Sequence, residues 1–261
     1  MVMPQEAMAA ARRITVLTGA GVSTESGIPD FRGPHGSLSG VTEAGRSYTP
    51  DEYLNDHGVR RRVWRARLHH PMWVAEPNPA HRALVELQRG GRLRALLTQN
   101  VDGLHQRAGT RRVVELHGSL LRTACTDCGS PGDMREALER VRDGEDDPDC
   151  PACGGVLRAT TVAFGQPLDP DVLRAARAAV VDCDLLLVAG TSLVVSPASD
   201  LVPLAARAGA AVLICNGEPT PCDPLASALD RRPVGVSLPE LVAVPVTGEG
   251  PVRTWGDPST W

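Results

Sequence analysis

The segment ITVLTGAGVSTESGIPDFRG, residues 14–33, constrains this chain more than any other stretch. Ile14 to Thr18 is a short β-branched and aliphatic run, the pattern of a buried strand. It leads directly into Gly19-Ala20-Gly21, where missing Cβ atoms let the backbone turn tightly and let a phosphate approach the N–H groups. Ser23 to Ser26 suit the first turn of a short helix, whose N-terminus favours an anion. The G-x-G-x-x-G spacing would need glycine where Thr24 stands, so spacing alone leaves a phosphate cradle and a plain strand-to-helix turn equally open. The continuation weighs toward the cradle. It sets a proline, the carboxylate of Asp30, the ring of Phe31 and the guanidinium of Arg32 in succession.

A strand of this kind needs a large aliphatic core around it. Hydrophobic residues make up 42% of the 261, and aromatic ones only 3%, so that core must be built from Leu, Val, Ile and Ala. The net charge of −4 argues against a protein that coats nucleic acid, and no specific nucleic-acid partner is expected. No apolar run approaches the ~20 residues that span a bilayer. Arg12 and Arg13 precede the first strand without an apolar stretch, so no signal peptide is expected and the cytoplasm is the default.

Along the chain, residues 33–45 read as a mobile loop, either a lid or a connector. Thr49-Pro50-Asp51-Glu52 is a capping-box signal for a helix. A second helix is expected over Val59 to Leu68, with Arg60, Arg61, Arg62, Arg65 and Arg67 on a mainly solvated face. Asn78-Pro79 caps a third, ending at Gly90-Gly91. Strands are expected at Leu93 to Thr98, Val113 to Leu116, Thr160 to Phe164, Asp184 to Ala189 and Ala211 to Cys215. Helices are expected from Pro170 to about Val181 and from Pro197 to Ala208, and a loose tail from Pro251. Such alternation gives a parallel sheet covered by helices on both faces.

Cys125-x2-Cys128 and Cys150-x2-Cys153, 21 residues apart, break that rhythm. Each pair places two thiolates on one tight turn bent by Gly129 or Gly154, and together they complete a tetrahedron for one structural Zn²⁺ with no open position. Two disulfides are the alternative, disfavoured in a chain with no export signal. Cys183, Cys215 and Cys222 have no ligand spacing and are expected to be buried or incidental. Gln99, Asn100 and Asp102 open a short helix beyond a strand's C-terminal end, where open α/β sheets bind ligands. His117 ends another strand and is followed by glycine, leaving a structural and a catalytic role both open.

GAGVSTESGIPDFR resembles the cofactor-binding signature of the sirtuins, the NAD-dependent protein deacylases, and further motifs extend the resemblance from about Ile14 to Leu241. Arg61-Arg62-Val63-Trp64 with Pro77-Asn78-Pro79-Ala80-His81 is most similar to the class II branch. The resemblance implies a doubly wound, Rossmann-like α/β domain formed by residues 14–33, 91–121 and 158–245. It implies a lid loop and helical insert at 34–90, a zinc-binding module at 122–157 and a tail at 246–261. It implies NAD, consumed as co-substrate, bound by Gly19, Ala20, Gly21, Ser23, Asp30, Phe31, Arg32, Gln99, Asn100, Asp102, Gly190, Thr191, Ser192, Asn216, Gly217, Glu218 and Val234. His117 is then the general base, and Asn100 and Asp102 order the nicotinamide ribose. His105 is structural, packing the short helix. Val162, Phe164 and Gly165 would pair with the backbone of an acyl-lysine protein substrate, with Gln166 and Ala159 departing from the usual pattern. Trp64 and Arg67 fall where members preferring dicarboxylic acyl groups carry Tyr and Arg. Without that tyrosine, acetyl-lysine is the expected substrate. An ADP-ribosyltransferase and a non-catalytic NAD-sensing module stay open as alternatives, as does the oligomeric state.

Overall fold

The computed structural model describes residues 1–30, 48–163 and 165–247; Phe31, Arg32, the expected loop at 33–45, Phe164 and residues 248–261 of the expected tail lie outside them. Five fully buried residues, Ile14–Thr18, form β1 at the middle of a six-stranded sheet. Its other strands are β2 (Leu93–Thr98), β3 (Val113–Glu115), β7 (Leu185–Ala189), β8 (Ala211–Cys215) and β9 (Ala228–Asp230), in the order β3-β2-β1-β7-β8-β9. Every pairing is parallel. Chain order reverses on either side of β1 and β7, so the switch point lies between them.

Side-chain alternation along these strands builds two cores, one on each face. Ile14, Val16, Leu185, Leu187 and Leu213 face α1 (Pro4–Ala10), α4 (Pro79–Arg89) and α9 (Val234–Val242). Leu17, Leu186, Val188, Val212 and Ile214 face α7 (Pro170–Val181) and α8 (Leu201–Arg207). A strand buried on both sides loses the polar half of the usual alternation, which is why these segments read as unbroken aliphatic runs.

A second sheet of three antiparallel strands, β4 (Arg122–Cys125), β5 (Pro131–Asp133) and β6 (Leu157–Ala159), carries both cysteine pairs. Over it lies α6 (Met134–Arg142), capped by the Asp133 carboxylate and burying Met134, Ala137, Leu138 and Val141. That i, i+3, i+4, i+7 spacing is a helical stripe in the sequence, although the segment reads at first as charged loop. The insert helices α2 (Pro50–Asn55) and α3 (His57–Leu68) pack here too, and Trp64 shares one core with Cys125, Cys150 and Met134.

Caps fall where the residue types require. Thr49 and Glu52 form the reciprocal box of α2, Asn78 accepts from the Ala80 and His81 N–H groups, and Asp169 caps α7. Four expectations need correction. Residues Ser23 to Ser26 do not open an α-helix; they lie in two short 3₁₀ turns, Ala20–Val22 and Thr24–Ser26. Asn78 holds this compact path by donating to Val22 O and Ser26 Oγ, and Gly27 ends it at φ 85°. The described residues 160–163 form no strand: beyond Ala159 the chain keeps two isolated backbone bonds to different neighbours, Thr160 N–H to Arg122 O and Val162 N–H to His117 O, both at 3.0 Å. The helix expected from Pro197 begins at Leu201 after a run of turns. Finally, Arg60 and Arg67 are buried, so the arginine-rich α3 is only partly a solvated face.

Candidate active site

In a parallel sheet all strands end on the same edge, and the candidate residues sit where they end. Gly19 follows β1, Gln99 follows β2, His117 lies two residues beyond β3, Gly190 follows β7 and Asn216 follows β8. Backbone bonds extend the ladder past the strands and lock these turns together: Gly19 N–H to Ala189 O, Gly21 N–H to Gly190 O, and Gly190 N–H to Cys215 O.

The glycines are needed because two turns meet at the switch point. A Cβ on Gly19 would stand 2.6 Å from Thr191 Cβ, and one on Gly21 would stand 2.9 Å from Gly190 Cα. Gly190 itself has φ 60°, and its Cβ would lie 2.5 Å from Val22 N. The backbone therefore approaches backbone directly beside the first turn, with no room for a side chain between the two turns. A dinucleotide spans the crevice of such a sheet at this point.

Polar side chains converge on the same place. Ser23, almost fully buried, donates to Asp102 Oδ2 at 2.7 Å and accepts from Asn100 Nδ2 at 3.1 Å. Asn100 Nδ2 also donates to Gly19 O, and Asp102 Oδ1 accepts the Leu104 N–H at the start of α5 (Leu104–Ala108). Gln99 Nε2 donates to Thr191 Oγ1 at 2.9 Å, joining the β2 end to the β7 end. Behind them Thr18 Oγ1 donates to Thr98 Oγ1 and lies 3.0 Å from His105 Nε2. Thr18 and Thr98 were not among the expected site residues; two strands each ending in threonine just before the binding turns were the available signal. His105 is buried on α5.

His117 is half-buried, and its Nδ1 lies 3.1 Å from Gln99 O. A carbonyl can only accept, so Nδ1 carries the proton and Nε2 keeps its lone pair. Burial lowers the imidazole pKa, partly offset by the Gln99 carbonyl. Gly118 has φ 71°, and a Cβ there would fall 2.0 Å from Thr160 O, so glycine lets residues 160–162 pass close against the histidine. The exposed Gly165 follows that segment. A neutral, oriented base beside an Asn–Asp–Ser network can order ribose hydroxyls, take up a proton and oppose positive charge on a sugar.

The remaining expected contacts lie on the β8 side. Asn216 accepts Arg231 at its backbone carbonyl, Glu218 does the same, and Gly217 is uncrowded. Ser192 is partly exposed on the β7 turn, Ala20 and Asp30 flank the first turn, and Val234 is buried at the start of α9.

The residues expected to border the acyl group sit deeper than a pocket wall. Trp64 is wholly buried. The Arg67 guanidinium lies 4.9 Å from the Trp64 ring and 5.5 Å from that of Tyr53, and it donates to the Tyr53 hydroxyl at 3.2 Å. That hydroxyl donates onward to Leu157 O at 2.7 Å. Arg67 also lines a tight seam with His70, Met72, Trp73 and Leu120.

The four cysteines Cys125, Cys128, Cys150 and Cys153 form the metal-ligand cluster found among the described residues, with every Sγ within 4.8 Å of the others. Sγ atoms lie 3.5 Å apart between Cys125 and Cys153, and 3.8 Å between Cys128 and Cys150. A tetrahedron with Zn–S bonds of about 2.3 Å has edges of about 3.8 Å, whereas a disulfide needs about 2.05 Å. The donor set thus fits zinc, and Gly129 and Gly154, at φ 73° and 74°, make the two bends. Cys183, Cys215 and Cys222 are buried and free.

Comparison with known proteins agrees with this geometry. A model of the Sir2 family matches residues 19–197. The chain is 48% identical over 231 residues to NAD-dependent protein deacetylase 2 of Streptomyces coelicolor, covering 88% of this chain and 96% of that protein. It is 43% identical over 237 residues to NAD-dependent protein deacylase 2 of Pyrobaculum aerophilum, covering 90% and 92%. A solved structure described as a Sir2–p53 peptide–NAD+ complex superposes with a TM-score of 0.80 at 33% identity, covering 90% of this chain and 94% of that one.

Proposed function

The chain belongs to the Sir2 family, and from that premise we propose that it is an NAD-dependent protein lysine deacylase whose preferred substrate is acetyl-lysine. The observation that carries the reading is the Ser23–Asn100–Asp102 network joined through Gln99 to a neutral His117, at the switch point of the sheet.

NAD is the co-substrate: its ribose would take the acyl oxygen as nicotinamide leaves, and with one water consumed the products are nicotinamide, free lysine and O-acyl-ADP-ribose. The chain's own residues do the following. Gly19, Ala20, Gly21, Gly190, Thr191 and Ser192 line the cradle for the phosphates, with Asp30, Phe31 and Arg32 continuing from the first turn. Asn216, Gly217, Glu218 and Val234 serve the adenosine half. Asn100 and Asp102, held by Ser23, order the nicotinamide ribose. Through Nε2, His117 accepts a proton from a ribose hydroxyl, so that this oxygen can attack the activated acyl carbon. Its Nδ1–H, held by Gln99 O, keeps the ring in the required tautomer.

Val162, Phe164 and Gly165 are the residues assigned to pairing with the backbone of the acyl-lysine substrate. Cys125, Cys128, Cys150 and Cys153 hold one structural zinc, which stabilises their module and leaves no position for substrate. Free thiols as ligands suit a reducing compartment, and the cytoplasm is the location we assign.

The test is mass spectrometry of the protein with NAD and a panel of acyl-lysine peptides. Nicotinamide release that requires acyl-peptide, with O-acetyl-ADP-ribose as the main product, is the expected result. ADP-ribosylated peptide without deacylation would make the chain a transferase instead, and no turnover on any peptide would leave a nucleotide-binding module.

A further inference from the structure

Helix α9 begins without a cap of its own. Pro233 occupies its N-cap position and has no side-chain group to accept a hydrogen bond, so the first-turn N–H groups need another partner. One is supplied from 210 residues away: Gly235 N–H donates to Glu25 Oε1 at 3.1 Å. Glu25 belongs to the turn Thr24–Ser26, directly after the glycine cradle. A carboxylate is favoured at this end of a nine-residue helix by the helix dipole.

Gly235 shows what the contact requires. It lies inside a regular helix and has no left-handed backbone angle, so conformation does not demand glycine there. A Cβ at this position would fall 1.9 Å from Glu25 Oε2 and 2.5 Å from its Cδ. Glycine is thus the residue that lets the carboxylate reach the helix. Beside the bond, Val22 and Val234 are buried in the same core.

We infer that Glu25 is a positioning residue for the dinucleotide. By capping α9 across the chain, it fixes that helix's first turn against the Gly19–Val22 turn, and so sets the width of the crevice on its β8–β9 side. A dinucleotide laid across a switch point places one mononucleotide half over each half of the sheet. Glu25 therefore acts on affinity for the half distant from His117 and leaves the reacting end unchanged. This inference rests on the NAD-dependent reading above.

The experiment measures ADP-ribose binding by calorimetry, and steady-state kinetics with NAD and acetyl-lysine peptide, for wild type, Glu25→Ala, Glu25→Gln, Gly235→Ala and the Glu25→Ala/Gly235→Ala pair. Glu25→Ala should weaken ADP-ribose binding and raise the NAD KM by roughly three- to tenfold, the scale of a lost cap, with kcat and peptide KM unchanged. Glu25→Gln keeps an accepting oxygen and should restore most of the affinity. Gly235→Ala should displace the exposed Glu25 carboxylate and weaken ADP-ribose binding no more than Glu25→Ala does, and adding it to Glu25→Ala should cost little more, because the clash is then gone. Unchanged ADP-ribose affinity in Glu25→Ala, or a fall confined to kcat, overturns the inference while leaving the deacylase reading standing. A wild type that binds ADP-ribose but does not deacylate overturns only that reading, and one that binds no ADP-ribose overturns both.

Discussion

In its proposed role as general base, His117 Nε2 must be unprotonated, and its burial lowers the pKa below the ordinary 6.5. The acid limb of kcat/KM should therefore have its midpoint below 6.5, with activity held to lower pH than a solvated histidine would allow; a pH–rate profile with a midpoint above 6.5 contradicts this. His117→Ala should lower kcat by about two to four orders of magnitude while leaving ADP-ribose affinity and the melting temperature nearly unchanged. Near wild-type turnover would remove His117 from the mechanism. Arg67 makes the opposite case, a charge already engaged. Its guanidinium is stacked on two rings and bonded to the Tyr53 hydroxyl, whose proton goes to Leu157 O. In the proposed reading this engagement competes with clamping a distal carboxylate. Wild type should favour acetyl- over succinyl-lysine peptide, and Arg67→Met should leave that ratio unchanged while costing about 1–3 kcal/mol of stability from the lost stacking and buried bond. A succinyl preference in wild type that Arg67→Met abolishes would make Arg67 the clamp after all.

Helices α4 and α5 meet through two imidazoles. His81 and His105 lie with ring centroids 4.8 Å apart, both fully buried. Asn78 Oδ1 lies 2.9 Å from His81 Nδ1, and Thr18 Oγ1 lies 3.0 Å from His105 Nε2. Burial lowers the His81 pKa to about 4 and that of His105 well below its ordinary value, the neighbouring ring adding to the second shift. Between about pH 4 and 6.5 the unfolded chain binds more protons than the native one, so acid draws the equilibrium toward unfolding. The stabilisation from a neutral His81 is complete above about pH 6.5 and is lost as the pH falls toward 4, an effect of about 3 kcal/mol. Urea unfolding should show a lower midpoint at pH 5.0 than at 7.5, and His81→Gln should flatten that difference. An equally steep pH dependence in the variant would place the effect elsewhere. Because α5 starts at the Asp102 bond and α4 is capped by the Asn78 that also holds the first turn, this contact supports the active site from behind.

The zinc-bearing sheet and the insert helices share one core across the molecule. Trp64 of α3 packs with Cys125 and Cys150, the Tyr53 hydroxyl reaches Leu157 O, and buried Arg60 donates from Nε to both oxygens of Asp147 at 2.9 Å. Arg60 also donates to Tyr53 O and Leu54 O, closing the end of α2. Loss of the metal should therefore travel from the cysteine turns into α2 and α3. Cys150→Ser should release zinc, lower the melting temperature and shift tryptophan emission to the red as Trp64 becomes hydrated, with activity falling as a consequence. Metal analysis that finds no zinc in active, well-folded wild type would remove this role.

By itself the sequence determined the features that rest on local chemistry. Short aliphatic, β-branched runs bounded by glycine turns point to strands buried on both faces, two C-x-x-C turns bent by glycine can hold a tetrahedral metal, and Asn78-Pro79 and Asp169-Pro170 start helices through their own side chains. These need neighbours only a few residues away. What the tertiary structure decided depends on groups far apart in the chain. Gly19 and Gly21 are glycines because the Gly190 turn lies against them, and Ser23 links Asn100 to Asp102. Arg60 and Arg67 are drawn inside by partners on other elements, although Arg61, Arg62 and Arg65 of the same helix are exposed. Residues 160–163 form no strand, because their backbone bonds go to two different neighbours, Thr160 N–H to Arg122 O and Val162 N–H to His117 O, and not to one continuous ladder. Periodicity reports which face of an element is apolar; only the packed chain decides which charge, carbonyl or backbone that face will meet.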